Sequence, residues 1–229
     1  MLVIGHRGAA GLAPENTLEA LRAGVEAGAD MLEFDVRLTK DGIPVLIHDV
    51  NTIRTHREFL TVSRHTLREL QKLAEPLDTL EEVLDEFFGK ILLNIEIKGR
   101  GNGKCIAEFV EKHAIKRSAD WDTILFSSFS GLELRAVRKV SERANLALLH
   151  ADNPFNFIAY QRSLHLTAVG FHRHYIHPFA LLIAKKAELL TYAYTVDRPM
   201  AATLLAKEGV DGVVTNFPDR ISKALMRHN

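Results

Sequence analysis

The segment from residue 26 to residue 38 reads Glu-Ala-Gly-Ala-Asp-Met-Leu-Glu-Phe-Asp-Val-Arg-Leu. Gly28 follows an amphipathic stretch, and glycine is the expected residue just past a helix end. Met31–Leu38 then has the composition of a strand and carries charged residues at alternate positions. The same succession recurs where Glu208-Gly209-Val210-Asp211 leads into another apolar run. The recurrence indicates a fold assembled from helix and strand units.

Strands and helices are predicted to alternate along the whole chain. Eight main strands, each followed by a helix at roughly 29 residues per unit, are typical of a (β/α)8 barrel, the TIM barrel of the α/β class. An open doubly wound sheet is the competing arrangement, but no Gly-x-Gly-x-x-Gly follows the first strand. The predicted main strands are Leu2–Gly5, Met31–Leu38, Leu92–Ile97, Thr123–Phe126, Asn145–Leu149, Ala168–Phe171, Leu190–Thr195 and Gly212–Thr215, and a short extra strand is predicted at Pro44–His48. The predicted helices are Thr17–Ala27, Leu80–Phe88, Lys104–His113, Gly131–Ser141, Asn153–Gln161, His177–Ala187, Met200–Lys207 and a last helix from Pro218, and Asn16 is predicted to cap the first of them.

One segment interrupts this repeat. The 229 residues suit one medium-sized domain or at most two small ones, and we predict a single barrel domain over residues 1–229. Between about Asp49 and Leu77, after the second strand unit, the only regular pattern is a short helical one at Leu67–Leu73. A short insertion at this point would lie over the carboxyl-terminal face of the barrel, where active sites are built.

Charged residues occupy strand positions that are ordinarily apolar. Glu33 and Asp35 lie two residues apart on the second strand, and Glu96 and Lys98 repeat this spacing on the third. Side chains two residues apart on a strand point to the same face. If that face is the barrel interior, two neighbouring strands bring three carboxylates and one ammonium group to the same end of the barrel.

Three carboxylates that share a buried site need compensating charge. One divalent metal ion would supply it, and ligands that are all oxygen favour Mg²⁺, Ca²⁺ or Mn²⁺. The alternative is a structural network in which Glu33 and Asp35 pair with Arg7 and Lys98. The metal site is favoured because the preceding strand residues are apolar and the charges cluster toward the strand exits.

Two histidines flank the acidic cluster in sequence. His6 ends the first strand, and His48 ends the short extra strand. Two imidazoles beside a metal suit proton transfer at neutral pH, one as general base and one as general acid. Arg7 and Lys98 add donors that suit a phosphoryl group. Together these residue types predict cleavage of a phosphoester.

Composition excludes several other classes. The formal net charge is zero and no basic stripe is present, which argues against nucleic-acid binding. No apolar run approaches the ~20 residues of a membrane span, so no stable membrane anchor is expected. Cys105 is the only cysteine, and the first residues carry no signal-peptide pattern, so we expect a cytoplasmic protein. The oligomeric state stays open.

Seven short motifs, taken in order and spacing, resemble the glycerophosphodiester phosphodiesterase family nearly from end to end. Each motif alone is weak, and the specificity comes from the whole set. The motifs are His6-Arg7-Gly8, Pro14-Glu15-Asn16-Thr17, Glu33-Phe34-Asp35-Val36, His48-Asp49, Glu96-Ile97-Lys98, Ser127-Ser128-Phe129 and Asp211-Gly212-Val213-Val214-Thr215-Asn216-Phe217-Pro218.

The resemblance implies a TIM barrel that hydrolyses small glycerophosphodiesters to glycerol 3-phosphate and an alcohol. In this family the glycerol 2-hydroxyl is thought to attack phosphorus and form a cyclic phosphate that water then opens. The resemblance also implies residue roles: one divalent metal ion held by Glu33, Asp35 and Glu96, an acid–base pair formed by His6 and His48, and phosphate contacts from Arg7 and Lys98.

The sequence departs from the family pattern in three places. A motif that usually reads Trp-Thr-Val-Asn is here Tyr194-Thr195-Val196-Asp197, which changes the ring that would wall the pocket. The insertion is short and contains Thr55-His56-Arg57-Glu58-Phe59 in place of Gly-rich turns. The sixth strand ends in Phe171-His172-Arg173-His174. Phe171 and Tyr194 are the predicted pocket-wall residues.

Two other functions remain as alternatives. A lysophospholipase D or a phospholipase C-like enzyme would need an apolar approach to the barrel mouth. The insertion offers only Phe59, Leu60 and Val62, interrupted by charges, so a water-soluble diester is favoured. A non-catalytic barrel that binds a phosphometabolite is disfavoured because both His6 and His48 are present.

Overall fold

A computed structural model describes residues 1–73 and 77–226. Residues 74–76 of the predicted insertion and residues 227–229 of the predicted domain lie outside this description. The strands are β1 (Leu2–Gly5), β2 (Met31–Leu38), β3 (Pro44–Leu46), β4 (Leu92–Ile97), β5 (Ile124–Ser128), β6 (Asn145–His150), β7 (Ala168–His172), β8 (Leu190–Tyr194) and β9 (Gly212–Thr215). The α-helices are α1 (Leu18–Glu26), α2 (Ile53–His56), α3 (Leu67–Leu70), α4 (Leu80–Phe87), α5 (Gly103–His113), α6 (Gly131–Val140), α7 (Phe157–Leu164), α8 (Pro178–Lys186), α9 (Pro199–Lys207) and α10 (Pro218–Met226).

Eight parallel strands form a closed barrel. Around the ring the order is β1, β9, β8, β7, β6, β5, β4, β2, and β2 pairs again with β1. Each barrel strand is followed by a helix before the next barrel strand begins. The remaining strand, β3, pairs antiparallel with β2 outside the ring. The predicted (β/α)8 fold is therefore confirmed.

The alternation of side chains along the strands separates two apolar layers. Phe34 and Ile95 belong to the main core between the strands and the helices, whereas Tyr192 belongs to a second cluster inside the barrel. Because successive strand residues point to opposite faces, Glu33 and Asp35 face the interior. No helix among residues 1–73 and 77–226 is long and apolar enough to cross a membrane.

The insertion has its own small core. It contains α2, a 3₁₀ turn at Val62–Arg64 and α3, which ends at Leu70 rather than at the predicted Leu73. Arg54 of α2 donates two hydrogen bonds to Glu15 in the loop after β1. This contact ties the insertion to the loop after β1, which leaves the carboxyl-terminal end of that strand. The small core combines Val62, Leu70 and Leu77 of the insertion with Val45 and Ile47 from the preceding segment.

The predicted N-cap of the first helix is wrong. Thr17, not Asn16, accepts the capping hydrogen bond from Ala20 N, at 3.1 Å. Asn16 instead turns inward, donating from Nδ2 to Asp35 Oδ2 and accepting at Oδ1 from Asp35 N, both at 2.9 Å. Leaving the buried Asp35 carboxylate without this hydrogen bond would cost more free energy than leaving an N–H group at the helix start without a side-chain partner.

The loop that carries His6 and Arg7 depends on the absence of a side chain at Gly8. A Cβ atom there would lie 2.4 Å from the Ala20 carbonyl carbon of α1, and Gly8 has a φ of +86°. Gly42 has a similar φ of +79° but open space around it.

We therefore expect Gly8→Ala to lower the free energy of unfolding by at least about 3 kcal/mol. Gly42→Ala should cost only about 1–2 kcal/mol. Urea denaturation would measure both, and equal losses would contradict this account.

Candidate active site

The three predicted carboxylates lie together at one end of the barrel interior. Asp35 on β2 and Glu96 on β4 are direct partners in the strand register, and Glu33 is two residues before Asp35. Each of the three offers an oxygen within 4.8 Å of the others. Parallel pairing of β2 with β4 therefore converts two separate sequence motifs into one cluster.

Burial and mutual repulsion make this cluster electrostatically strained. Burial and the neighbouring Asp35 carboxylate raise the pKa of Glu33 to about 8, and the same two causes raise that of Glu96 to about 8. For Asp35, burial also acts to raise the pKa, but the Lys98 and Arg7 cations lower it below its ordinary value. Their contacts are direct, since Arg7 Nε and Lys98 Nζ each lie 3.2 Å from Asp35.

The cations leave part of the cluster without a partner. Because Asp35 pairs with both Arg7 and Lys98, the structural ion-pair network given as the alternative is partly present. Lys98 also contacts Glu96. However, Glu33 Oε1 is buried and has no hydrogen-bond partner among the described residues. An orphaned carboxylate oxygen of this kind is costly. Three carboxylates facing inward, with oxygen as the only donor type, fit a hard divalent cation.

His6 is held at the edge of the cluster by its Nδ1 atom. Nδ1 lies 2.7 Å from Asn216 Oδ1 in the loop after β9. Burial is the main cause that lowers the pKa of His6, and the Arg7 cation adds to it, while Asn216, Asp35 and Glu96 act in the opposite direction. The imidazole is therefore favoured in its neutral form, with Nε2 left for the cleft.

His48 is held in the same way by a different partner. Its Nδ1 lies 2.7 Å from Asp49 Oδ1, and Asp49 accepts a 2.6 Å hydrogen bond from Arg54 Nε. Burial is the main cause that lowers the pKa of His48 below its ordinary value, although Asp35 and Asp49 act in the opposite direction. Arg37 fixes the backbone by donating from Nε and Nη2 to the His48 carbonyl at 2.9 and 2.8 Å.

Glu15 connects these groups by bonding to Arg7 and Arg54. The sequence did not predict the roles of Arg54 and Arg37. Glu15 Oε1 accepts 2.6 Å hydrogen bonds from both Arg7 and Arg54, so Glu15 bridges the β1 loop and the insertion. A usable signal existed for Arg37, which is two residues after Asp35 and so shares its face. None existed for Arg54, whose role depends on how the insertion packs.

One cleft collects most of the predicted site residues. Asp35 is not among the residues that line it, but it contacts Arg7 and Lys98, which do. The cleft is also lined by two polar residues that the sequence did not single out for the site, Asn94 and Tyr192. Ser127, from one of the seven motifs, lines it as well. The lining residues are His6, Arg7, Glu33, His48, Asn94, Glu96, Lys98, Ser127, Phe129, Leu149, Tyr192, Tyr194, Thr195 and Val214.

Of the two predicted wall residues, only Tyr194 lines the cleft. Its ring meets Phe129 edge-on with centroids 6.0 Å apart, and its hydroxyl donates to the His150 carbonyl. Phe171 is fully buried in the main core, with its ring edge-on to Phe157 at 6.2 Å. The expectation for Phe171 was wrong because its side chain points from β7 toward the helices.

The chain is similar to one enzyme family along almost its whole length. The model of the Glycerophosphoryl diester phosphodiesterase family matches residues 6–220. A glycerophosphodiester phosphodiesterase of Caldanaerobacter subterraneus subsp. tengcongensis is 33% identical over 96% of both chains. The structure of an Oleispira antarctica phosphodiesterase in complex with the product sn-glycerol-3-phosphate has a TM-score of 0.88 at 26% identity, covering 99% of this chain and 97% of that one. A glycerophosphodiester phosphodiesterase of Thermotoga maritima has a TM-score of 0.84 at 27% identity, covering 97% of each.

The orphaned oxygen of Glu33 yields a test for metal binding. A saturating divalent ion should raise the melting temperature by roughly 5 to 10 °C, because binding at about 100 times Kd contributes about 2.7 kcal/mol. Glu33→Gln keeps an acceptor for Arg7 N, which bonds the Glu33 carboxylate at 2.8 Å, but removes a charge. This variant should melt no lower than wild type in EDTA and gain less than half of the metal-induced rise.

Glu111→Gln, at an exposed position on α5, is the matched control and should keep the full rise. Differential scanning fluorimetry with Mg²⁺, Ca²⁺ and Mn²⁺ would measure all three proteins. An unchanged metal response in Glu33→Gln would contradict the assignment of Glu33 as a ligand.

Proposed function

The chain belongs to the glycerophosphoryl diester phosphodiesterase family and is a glycerophosphodiester phosphodiesterase, and we propose that it works by metal-assisted acid–base catalysis. The products are glycerol 3-phosphate and an alcohol. The observation that carries the proposal is that the acidic cluster, two cations and two anchored imidazoles meet at one cleft. The bound sn-glycerol-3-phosphate in the Oleispira antarctica structure supports the nature of the product.

The residues divide into those that would hold the divalent ion and those that would bind the phosphate. Glu33, Asp35 and Glu96 would hold the divalent ion, which when bound polarises phosphoryl oxygens and lowers the pKa of a coordinated hydroxyl. Arg7 and Lys98 border the cleft and would place donors on the phosphoryl oxygens. In this arrangement positive charge is in place before negative charge develops in the transition state.

The two imidazoles would move protons at their Nε2 atoms, since both Nδ1 atoms are already engaged. One imidazole accepts the proton of the attacking hydroxyl as its oxygen bonds to phosphorus. The other donates a proton to the leaving alcohol oxygen as its bond to phosphorus breaks. Attack by the glycerol 2-hydroxyl would give a cyclic phosphate. Addition of water would then return both imidazoles to their starting states.

Exposed apolar side chains of the insertion favour a lipid-like substrate as a second candidate. Of the apolar insertion residues, Val62 is buried and Leu60 is partly buried, but Phe59 is exposed. Val50 and Ile53 are also exposed in the same insertion. These side chains could contact the acyl chain of a lysophospholipid, which is likewise a glycerophosphodiester.

Release of glycerol 3-phosphate tests the reaction directly. We expect turnover of glycerophosphocholine or glycerophosphoethanolamine that stops in EDTA and returns with Mg²⁺, Mn²⁺ or Ca²⁺. Parallel assays with lysophosphatidylcholine follow choline release, because cleavage of the same bond there gives lysophosphatidic acid rather than glycerol 3-phosphate. The second candidate requires that turnover of the lysolipid exceed that of both soluble diesters. Full activity in EDTA would contradict the metal proposal, and turnover of none of the three diesters would contradict the proposed substrate class.

The acid–base proposal predicts large and specific losses. His6→Ala and His48→Ala should each lower kcat by at least ~10²-fold, the contribution of a positioned acid or base. His113→Ala is the matched control, because His113 stacks on Phe109 at the end of α5 and is not among the residues that line the cleft. Steady-state assays at saturating metal would measure the three variants. Near-normal turnover without His6 or without His48 would remove that residue from the mechanism.

A further inference from the structure

Three consecutive strands of the ring each place one polar residue at the carboxyl-terminal edge. Asp197 lies three residues after β8, Asn216 directly follows β9, and His6 directly follows β1. His6 Nδ1 lies 2.7 Å from Asn216 Oδ1, and Asn216 Nδ2 donates to Asp197 Oδ2 at 2.8 Å. A hydrogen-bonded chain therefore runs from an imidazole, through an amide, to a carboxylate.

The donor inventory gives this chain a direction. The carboxylate of Asp197 can only accept hydrogen bonds. One of its oxygens is already committed to the backbone N–H of Asn216 at 2.8 Å and to the Thr215 hydroxyl at 3.1 Å. The other oxygen therefore receives the amide NH₂ of Asn216, which leaves the amide oxygen facing His6. An oxygen at that place can only accept, so the proton of the neutral imidazole resides on Nδ1.

We propose that Asp197 is a positioning residue that sets the tautomer of His6 through the side chain of Asn216. This rests on the proposed acid–base role of His6. With the proton on Nδ1, Nε2 carries the lone pair that a proton transfer in the cleft requires. The opposite tautomer would present an N–H group there and could not accept a proton.

Asp197→Asn is the informative substitution because it changes one donor pattern with little change in shape. The backbone N–H of Asn216 and the Thr215 hydroxyl hold an oxygen at one position of the new amide. Its NH₂ group then faces the NH₂ group of Asn216, and two donors cannot pair. The Asn216 amide is expected to turn over, which presents NH₂ to His6 and moves the imidazole proton to Nε2.

Three readouts separate this role from simple loop support. In serine proteases, an amide in place of the carboxylate that orients the catalytic histidine costs roughly 10⁴ in kcat through the wrong tautomer. Here Asp197→Asn should lower kcat about 10- to 100-fold with KM within about twofold. The ¹⁵N NMR signals of His6, identified by their absence in His6→Gln, should change from the Nδ1–H to the Nε2–H pattern at a pH where the ring is neutral.

A double substitution provides the rescue. Combining Asp197→Asn with Asn216→Asp places the carboxylate beside His6, where it accepts the Nδ1 proton, and the amide behind it, where it donates. The Nδ1–H tautomer and most of the lost kcat should return. Thr215→Val is the matched control, since it removes another hydrogen bond to the same carboxylate. It should lower the melting temperature without moving the His6 signals.

The outcomes are separable from those of the proposed function. An unchanged His6 tautomer in Asp197→Asn overturns the proposal, as does a double substitution that restores neither the tautomer nor kcat. If the wild-type protein turned over no glycerophosphodiester, the proposed function would fail. The NMR comparison would still decide whether Asp197 sets the tautomer.

Discussion

The constraint on which the rest of the site depends is the burial of three carboxylates inside one end of the barrel. The parity of β2 and β4 turns Glu33, Asp35 and Glu96 inward, where Glu33 and Asp35 are buried and Glu96 is partly buried. Arg7 and Lys98 compensate Asp35 most directly. The remaining imbalance is what makes the site suitable for a divalent ion, because the protein alone does not satisfy Glu33.

A set of supporting contacts holds the side chains that would do the chemistry. Asn16 does not cap the first helix. Its amide donates to the Asp35 carboxylate and accepts from the Asp35 backbone N–H. Glu15 joins Arg7 to Arg54, and Arg54 in turn holds Asp49 against His48. The insertion is thus tied to the barrel by the same ion pairs that orient one imidazole. Such supporting contacts fix side-chain geometry more tightly than the loops themselves would.

The sequence predicted β1, β2, β4 and β9 to the residue because apolar runs and turn residues marked both ends of each strand. On β2 and β4 the charged residues also revealed which face points inward. β7 offered no such marker, since Ala168-Val169-Gly170-Phe171 contains no charge, and Phe171 was placed on the wrong face. The contacts of Asn16, Arg54 and Asp197 were missed for another reason. Each is made with a partner distant in sequence, so spacing within a motif carried no information about them.

The two imidazoles are anchored by chemically different partners, and this difference bears on the acid and base roles proposed for them. His48 bonds directly to the carboxylate of Asp49, which opposes the lowering of the His48 pKa by burial. His6 contacts the neutral amide of Asn216. The carboxylate of Asp197 contacts the other end of that amide and does not bond to His6 directly. A neutral amide orients a ring without adding the full attraction of an adjacent negative charge. Burial favours the neutral form of both rings. The proposed division of acid and base roles therefore rests on their different anchoring groups, since different environments are what separate the roles of a pair of like groups.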